Sequence, residues 1–98
     1  MSHVWVSTME GDLLRADQIR QINVIEGLRA VLQGGNQFLI AEIEDRAACA
    51  AAARELAAAI AEGDAWTHAV EIKVLDDGGR WTVDLRSMRD SSGEPVGA

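Results

Sequence analysis

Cys49 is the only thiol in this 98-residue chain, and any nucleophilic or redox role for it requires a thiolate. It lies in the alanine-dominated run "AACAAAARELAAAIAEG", positions 47–63. In the helix that this run predicts, it falls in the first turn, where the positive end of the helix dipole favours the anion. The same position sits at helical spacing with Ala53, Leu56 and Ile60, a stripe on which cysteine serves as a small buried hydrophobe. His68 is the second candidate, with Trp66 before it and Glu71 after it in "GDAWTHAVE". An imidazole between an aromatic wall and a carboxylate would suit a pocket, and it would equally suit a histidine that bridges a helix end and a strand. Trp66, His68 and Cys49 are therefore the candidate ligand-pocket residues.

The remaining chemistry is sparse. His3 and His68 are far apart, and no His-x-His, Cys-x-x-Cys or His-Glu-x-x-His spacing occurs. Glu42, Glu44 and Asp45 cluster where a strand meets the helix and would need Asp84 or Asp12 to approach a cation. "EIEDR" lacks the dense Asp/Asn/Gly pattern of a calcium loop, so a solvated strand end and a helix cap account for it. "QGGN" at 33–36 and "DDGG" at 76–79 are glycine turns without a following helix to receive a phosphate. No Gly-x-Ser-x-Gly element is present. The sequence assigns no catalytic residue, no metal site and no cofactor.

Charge narrows the partners. A net charge of −7 opposes phosphate backbones and anionic lipid, which draw on clustered Lys and Arg. Trp5, Trp66 and Trp81 would have to alternate with basic residues to stack on single strands, and only Trp81 has one beside it, Arg80. Packing in the core or an interface is the expected use of the three. A single cysteine makes no intramolecular disulfide, and "MSHVWVSTMEGD" lacks a cationic segment followed by an apolar run, so the sequence reads as a cytoplasmic chain. The alanine run is too short and carries Arg54 and Glu55 at its centre, which excludes it as a membrane span.

The elements that must position these residues follow from periodicity. "HVWVSTM", "LLRAD", "QIRQINVIEG", "LRAVLQ" and "QFLIAEI" read as strands, with a kink over 16–20 where the spacing changes. "QGGN" closes one hairpin, and "DDGG" joins "AVEIKVL" to "RWTVDLR" in another. Asp45 suits the helix N-cap, and Gly63 the left-handed position that ends it. The expected fold is α+β: an antiparallel β-meander of about four strands, one Ala-rich helix packed on the sheet, then a C-terminal β-hairpin. Residues 1–89 form a single domain, and 90–98, "DSSGEPVGA", read as a disordered tail.

A helix about 10 Å across covers less than half of a five-stranded sheet about 25 Å wide. The opposite face would carry Trp5, Met9, Val31, Leu39 and Ile43, the candidate interface residues, together with Ile25 and Leu75. Either the sheet curls on itself or a second copy covers that face. The leading expectation is a non-catalytic protein–protein interaction module acting as a homodimer, with a further protein partner open. A small-ligand binder or enzyme with a pocket near Trp66, His68 and Cys49 is the second reading. An acidic modulator of a nucleic-acid-binding protein is the third.

Overall fold

The first strand, β1 (Val4–Ser7), buries Val4 and Val6 and leaves Trp5 and Ser7 half-covered, as its alternation requires. The chain turns through Gly11, whose φ of 93° suits a residue without a Cβ. Thr8 anchors this turn: its hydroxyl accepts from the Asp12 amide at 3.0 Å and its amide donates to the Asp12 carbonyl at 2.9 Å. β2 (Leu13–Arg15) then returns antiparallel to β1. A 3-10 turn at Ala16–Gln18 occupies the predicted kink. It is followed by the antiparallel strands β3 (Ile19–Asn23), β4 (Leu28–Leu32) and β5 (Gln37–Ala41). The helix α1 (Arg46–Gly63) and the hairpin β6 (Val70–Asp77) and β7 (Arg80–Ser87) complete the fold. The computed structural model describes residues 3–88, so the tail expected at 90–98 lies outside the described residues.

The α+β class, the helix on the sheet and the C-terminal hairpin match the expectation. The meander does not run in one sheet. The described strands form a four-stranded sheet in the order β2-β1-β6-β7 and a three-stranded sheet β3-β4-β5. The 3-10 turn directs the chain out of the first sheet after β2. β1 then pairs parallel with β6, Val4 opposite Val70 and Val6 opposite Ile72. Parallel pairing needs a long crossover, and here the crossover contains the second sheet and the helix.

Both sheets and the helix enclose one core, in which Val4, Val6, Leu28, Leu56 and Ile72 are fully covered. The buried helical stripe is Cys49, Ala52, Leu56, Ala59 and Gly63, rotated from the expected Cys49, Ala53, Leu56 and Ile60. Small side chains take the line of closest approach. Ile60 lies to one side, where with Ala57 it lines a groove shared with Ile19 and Ile22 of β3.

Gly63 differs from the expectation in kind. It is the last helical residue, and the cap after it, Asp64, has right-handed φ and ψ of −64° and −21°. A Cβ on Gly63 would lie 3.1 Å from Val4 Cγ2 and 3.4 Å from Val4 Cγ1. Glycine is required here for close packing on β1. His3 secures the same corner: its Nε2 lies 3.0 Å from the Gly63 carbonyl, and its own carbonyl accepts from the Val70 amide at 2.9 Å. With the proton on Nε2, the ring donates to one of the carbonyls that a helix end leaves unpaired.

Candidate functional site

Asp45 caps α1 as expected, its carboxylate accepting from the Ala47 amide at 3.3 Å. Cys49, one turn further on, is 1% exposed, and burial pushes its thiol above the ordinary value. The thiol is a packing residue among Leu56 and Ala52. Trp66 and His68 lie beyond the other end of the helix, their rings in an edge-on contact with centroids 5.5 Å apart. At a rise of about 1.5 Å per residue, the helix carries the chain about 20 Å from Cys49 before it reaches them. The three residues do not form one pocket.

The acidic residues are also dispersed. Glu42 and Glu44 line a cleft of about 590 Å³ together with Glu26, Ile25 and Arg46. Asp84 instead bonds Arg86 at 3.0 Å on the first sheet, and Asp12 belongs to the Thr8 turn. Among the described residues, no three His, Cys, Asp or Glu side chains converge as metal ligands. No described helix is long and apolar enough to cross a membrane. One wall of the cleft is a tight turn: the Asn23 side chain accepts from the Ile25 amide at 2.8 Å, and Arg29 donates to the carbonyls of Ile25 and Glu26. Glu26 is held there at a φ of 55°.

The interface candidates divide. Val31 and Ile43 are 6% and 4% exposed, covered by the chain itself. The second sheet covers much of what a single sheet would have left bare. Met9 is 52% exposed, and Leu39 and Trp5 are half-buried. Trp5 lies on the outer face of the four-stranded sheet, in register with Arg15 and Glu71, and Glu71 is opposite Arg86. The next row includes Lys73 opposite Asp84. This face mixes these charges with Trp5 and the partly exposed Leu13 and Leu75.

The open surface lies at a sheet edge. Unpaired edges invite association and are ordinarily blunted by shortness, bulges, proline, lysine or a covering loop. β2 has three residues. β3 carries a register shift between Ile19 and Gln21. β5 is capped by the Met9 loop, whose amide donates to the Leu39 carbonyl at 3.1 Å. Among the described residues β7 is neither short, bulged nor covered by a loop: it runs eight residues in unbroken register with β6 and contains neither proline nor lysine, and its charges, Arg80, Asp84 and Arg86, are of mixed sign.

Two hydrogen bonds fix which way the β7 backbone points. Met88 donates to the Ala69 carbonyl, and Val70 donates towards β1, to His3. Along β6, Glu71, Lys73 and Leu75 therefore bond β7, while Ile72 and Val74 turn their backbone towards β1. Trp81, Val83 and Leu85 stand opposite Asp76, Val74 and Ile72, so their N–H and C=O groups point off the free edge. Among the described residues these groups meet no partner. Their side chains are half-buried on the core side, packed against the core without being enclosed by it.

Comparisons of the chain with protein-family models, with curated proteins and with solved structures gave no match. The functional reading rests on the residues themselves.

Proposed function

We propose that this chain is a non-catalytic protein–protein interaction module that acts as a homodimer in the cytoplasm. The observation that carries the reading is the β7 edge, eight residues long and without a bulge, with outward backbone groups at Trp81, Val83 and Leu85 that meet no partner among the described residues. An exposed edge with an apolar row beneath it recognises another strand: the backbone supplies affinity and the alternating side chains supply selectivity. Burial of Cys49 and the length of helix between it and His68 weigh against the alternative of a small-ligand binder or enzyme with a pocket near Trp66, His68 and Cys49.

Strand addition alone forms an interface at or below the low end of the about 1,200–2,000 Å² typical of stable complexes. Association is therefore expected to depend on concentration. Light scattering across a hundredfold range should show the mass rising towards twice that of the chain. A constant single-chain mass throughout would refute the homodimer.

A further inference from the structure

We propose that β7 pairs antiparallel with β7 of a second copy, with the two-fold axis at Thr82, joining the two four-stranded sheets edge to edge. This inference rests on the homodimer reading and specifies its seam. Only registers that set outward-pointing residues against one another allow the edge hydrogen bonds to form, so Trp81, Val83 and Leu85 must each face an odd-numbered position of the second copy. Charge disfavours two of these registers, and an axis at Leu85, which would set Asp84 against Arg86, its existing partner, would leave Trp81 outside the overlap of the two strands. With the axis at Asp84, the two Asp84 carboxylates oppose each other. With the axis at Val83, Arg80 opposes Arg86 of the second copy. With the axis at Thr82, Arg80 faces Asp84 of the second copy at both ends of the seam, Thr82 faces Thr82, and Trp81 faces Val83.

Each of these last pairings is favourable across strands: opposite charges, Thr with Thr, and an aromatic with a β-branched residue. The side chains of Arg80, Thr82, Asp84 and Arg86 share the outer face of the sheet, so Asp84 would bridge its own Arg86, now at 3.0 Å, and the incoming Arg80. This register also sets Leu85 opposite Gly79 of the second copy, whose amide already donates to Asp76 at 2.9 Å, so the edge bonds run between Trp81 and Val83; nothing stands within 4 Å of where a Cβ on Gly79 would be. The turn therefore offers clearance where the seam overlaps it.

The test combines cross-linking with charge exchange in the full chain. Residues facing each other at the axis, in a pair without mutual hydrogen bonds, have Cα atoms about 4.5 Å apart, within disulfide range. Thr82→Cys should give a covalent dimer on mild oxidation, whereas Asp84→Cys, which faces Arg80, should not; buried Cys49 does not compete. Arg80→Glu and Asp84→Lys should each weaken self-association about tenfold. An equimolar mixture of these two variants should recover it. At one end of the mixed seam the introduced glutamate then faces the introduced lysine, and at the other the native Asp84 faces the native Arg80. If the unmodified chain dimerises but Thr82→Cys fails to cross-link and the mixture behaves as its components do, the seam is wrong and the homodimer stands. A monomeric unmodified chain whose Thr82→Cys variant also stays monomeric on oxidation would overturn both.

Discussion

Gly63 offers the sharpest test of how the helix is seated. Gly63→Ala adds a methyl 3.1 Å from Val4 Cγ2 and 3.4 Å from Val4 Cγ1. Val4 cannot retreat: it is fully buried and β-branched, and its strand lies between β2 and β6. Overpacking of this kind costs about 1–3 kcal/mol, offset by up to about 1 kcal/mol from alanine's better helix propensity. The expected net loss is about 1 kcal/mol, a fall in melting temperature of about 4–8 °C for a domain of this size. Val4→Ala removes both clashing methyls and costs about 2–3 kcal/mol through lost transfer energy and a small cavity. A chain of this length has about 5–15 kcal/mol in hand and should remain folded. In that background Gly63→Ala should become neutral or stabilising, a coupling of about 1–2 kcal/mol. Urea denaturation of the four members of the cycle, with unchanged slopes, measures it. An equal loss from Gly63→Ala in both backgrounds would refute the argument, because the glycine would then be needed for its backbone and not for its closeness to Val4.

Three further outcomes are expected. Burial raises the Cys49 thiol above its ordinary 9.0, so above that pH the unfolded chain loses the thiol proton before the folded one does. Cys49 therefore contributes stability that is fully present below about pH 9 and lost as pH rises further; denaturation between pH 7 and 10 should show a slope that Cys49→Ala reduces. Glu26 is held at a φ of 55°, a conformation costing an L-residue about 1–2 kcal/mol. Glu26→Gly should gain about 1 kcal/mol in the same urea assay, since the bonds from Arg29 go to backbone carbonyls that glycine retains. Amide hydrogen exchange at Trp81 and Val83 should slow as protein concentration rises, whereas Thr82 and Asp84, whose amides face β6, should be protected at every concentration.

The elements are largely legible in the sequence because their signals are local. "DDGG" gives a two-residue hairpin whose Gly78 and Gly79 both carry positive φ, 67° and 89°, as the twist of the strands demands. "QGGN" places Gly35 at a φ of 93°, and Asp45 caps the helix. What escapes is long-range. The division into two sheets depends on β1 pairing with β6, more than sixty residues away, and periodicity carries no information about such partners. The usual C-terminal rule makes Gly63 a conformational glycine because that rule is backbone-local, while the actual reason is a side chain from the other end of the chain. A pocket around Cys49, Trp66 and His68 joins residues near in sequence without allowing for the length of the helix between them.

The β7 edge escapes for a related reason. "RWTVDLR" announces an alternating strand, and its lack of proline and lysine is visible, but these absences matter only for a strand that ends a sheet. Had β7 been central, the same composition would have been ordinary. Once the order β2-β1-β6-β7 is fixed, the residues acquire a different meaning: Trp81, Val83 and Leu85 become a half-covered apolar row under free backbone groups, and Arg80 and Asp84 become opposite charges two positions either side of a threonine. That spacing is self-complementary under a two-fold axis, a property that a strand with like charges at both positions would lack. The proposed pairing with a second copy rests on edge position and charge symmetry together, and on neither alone.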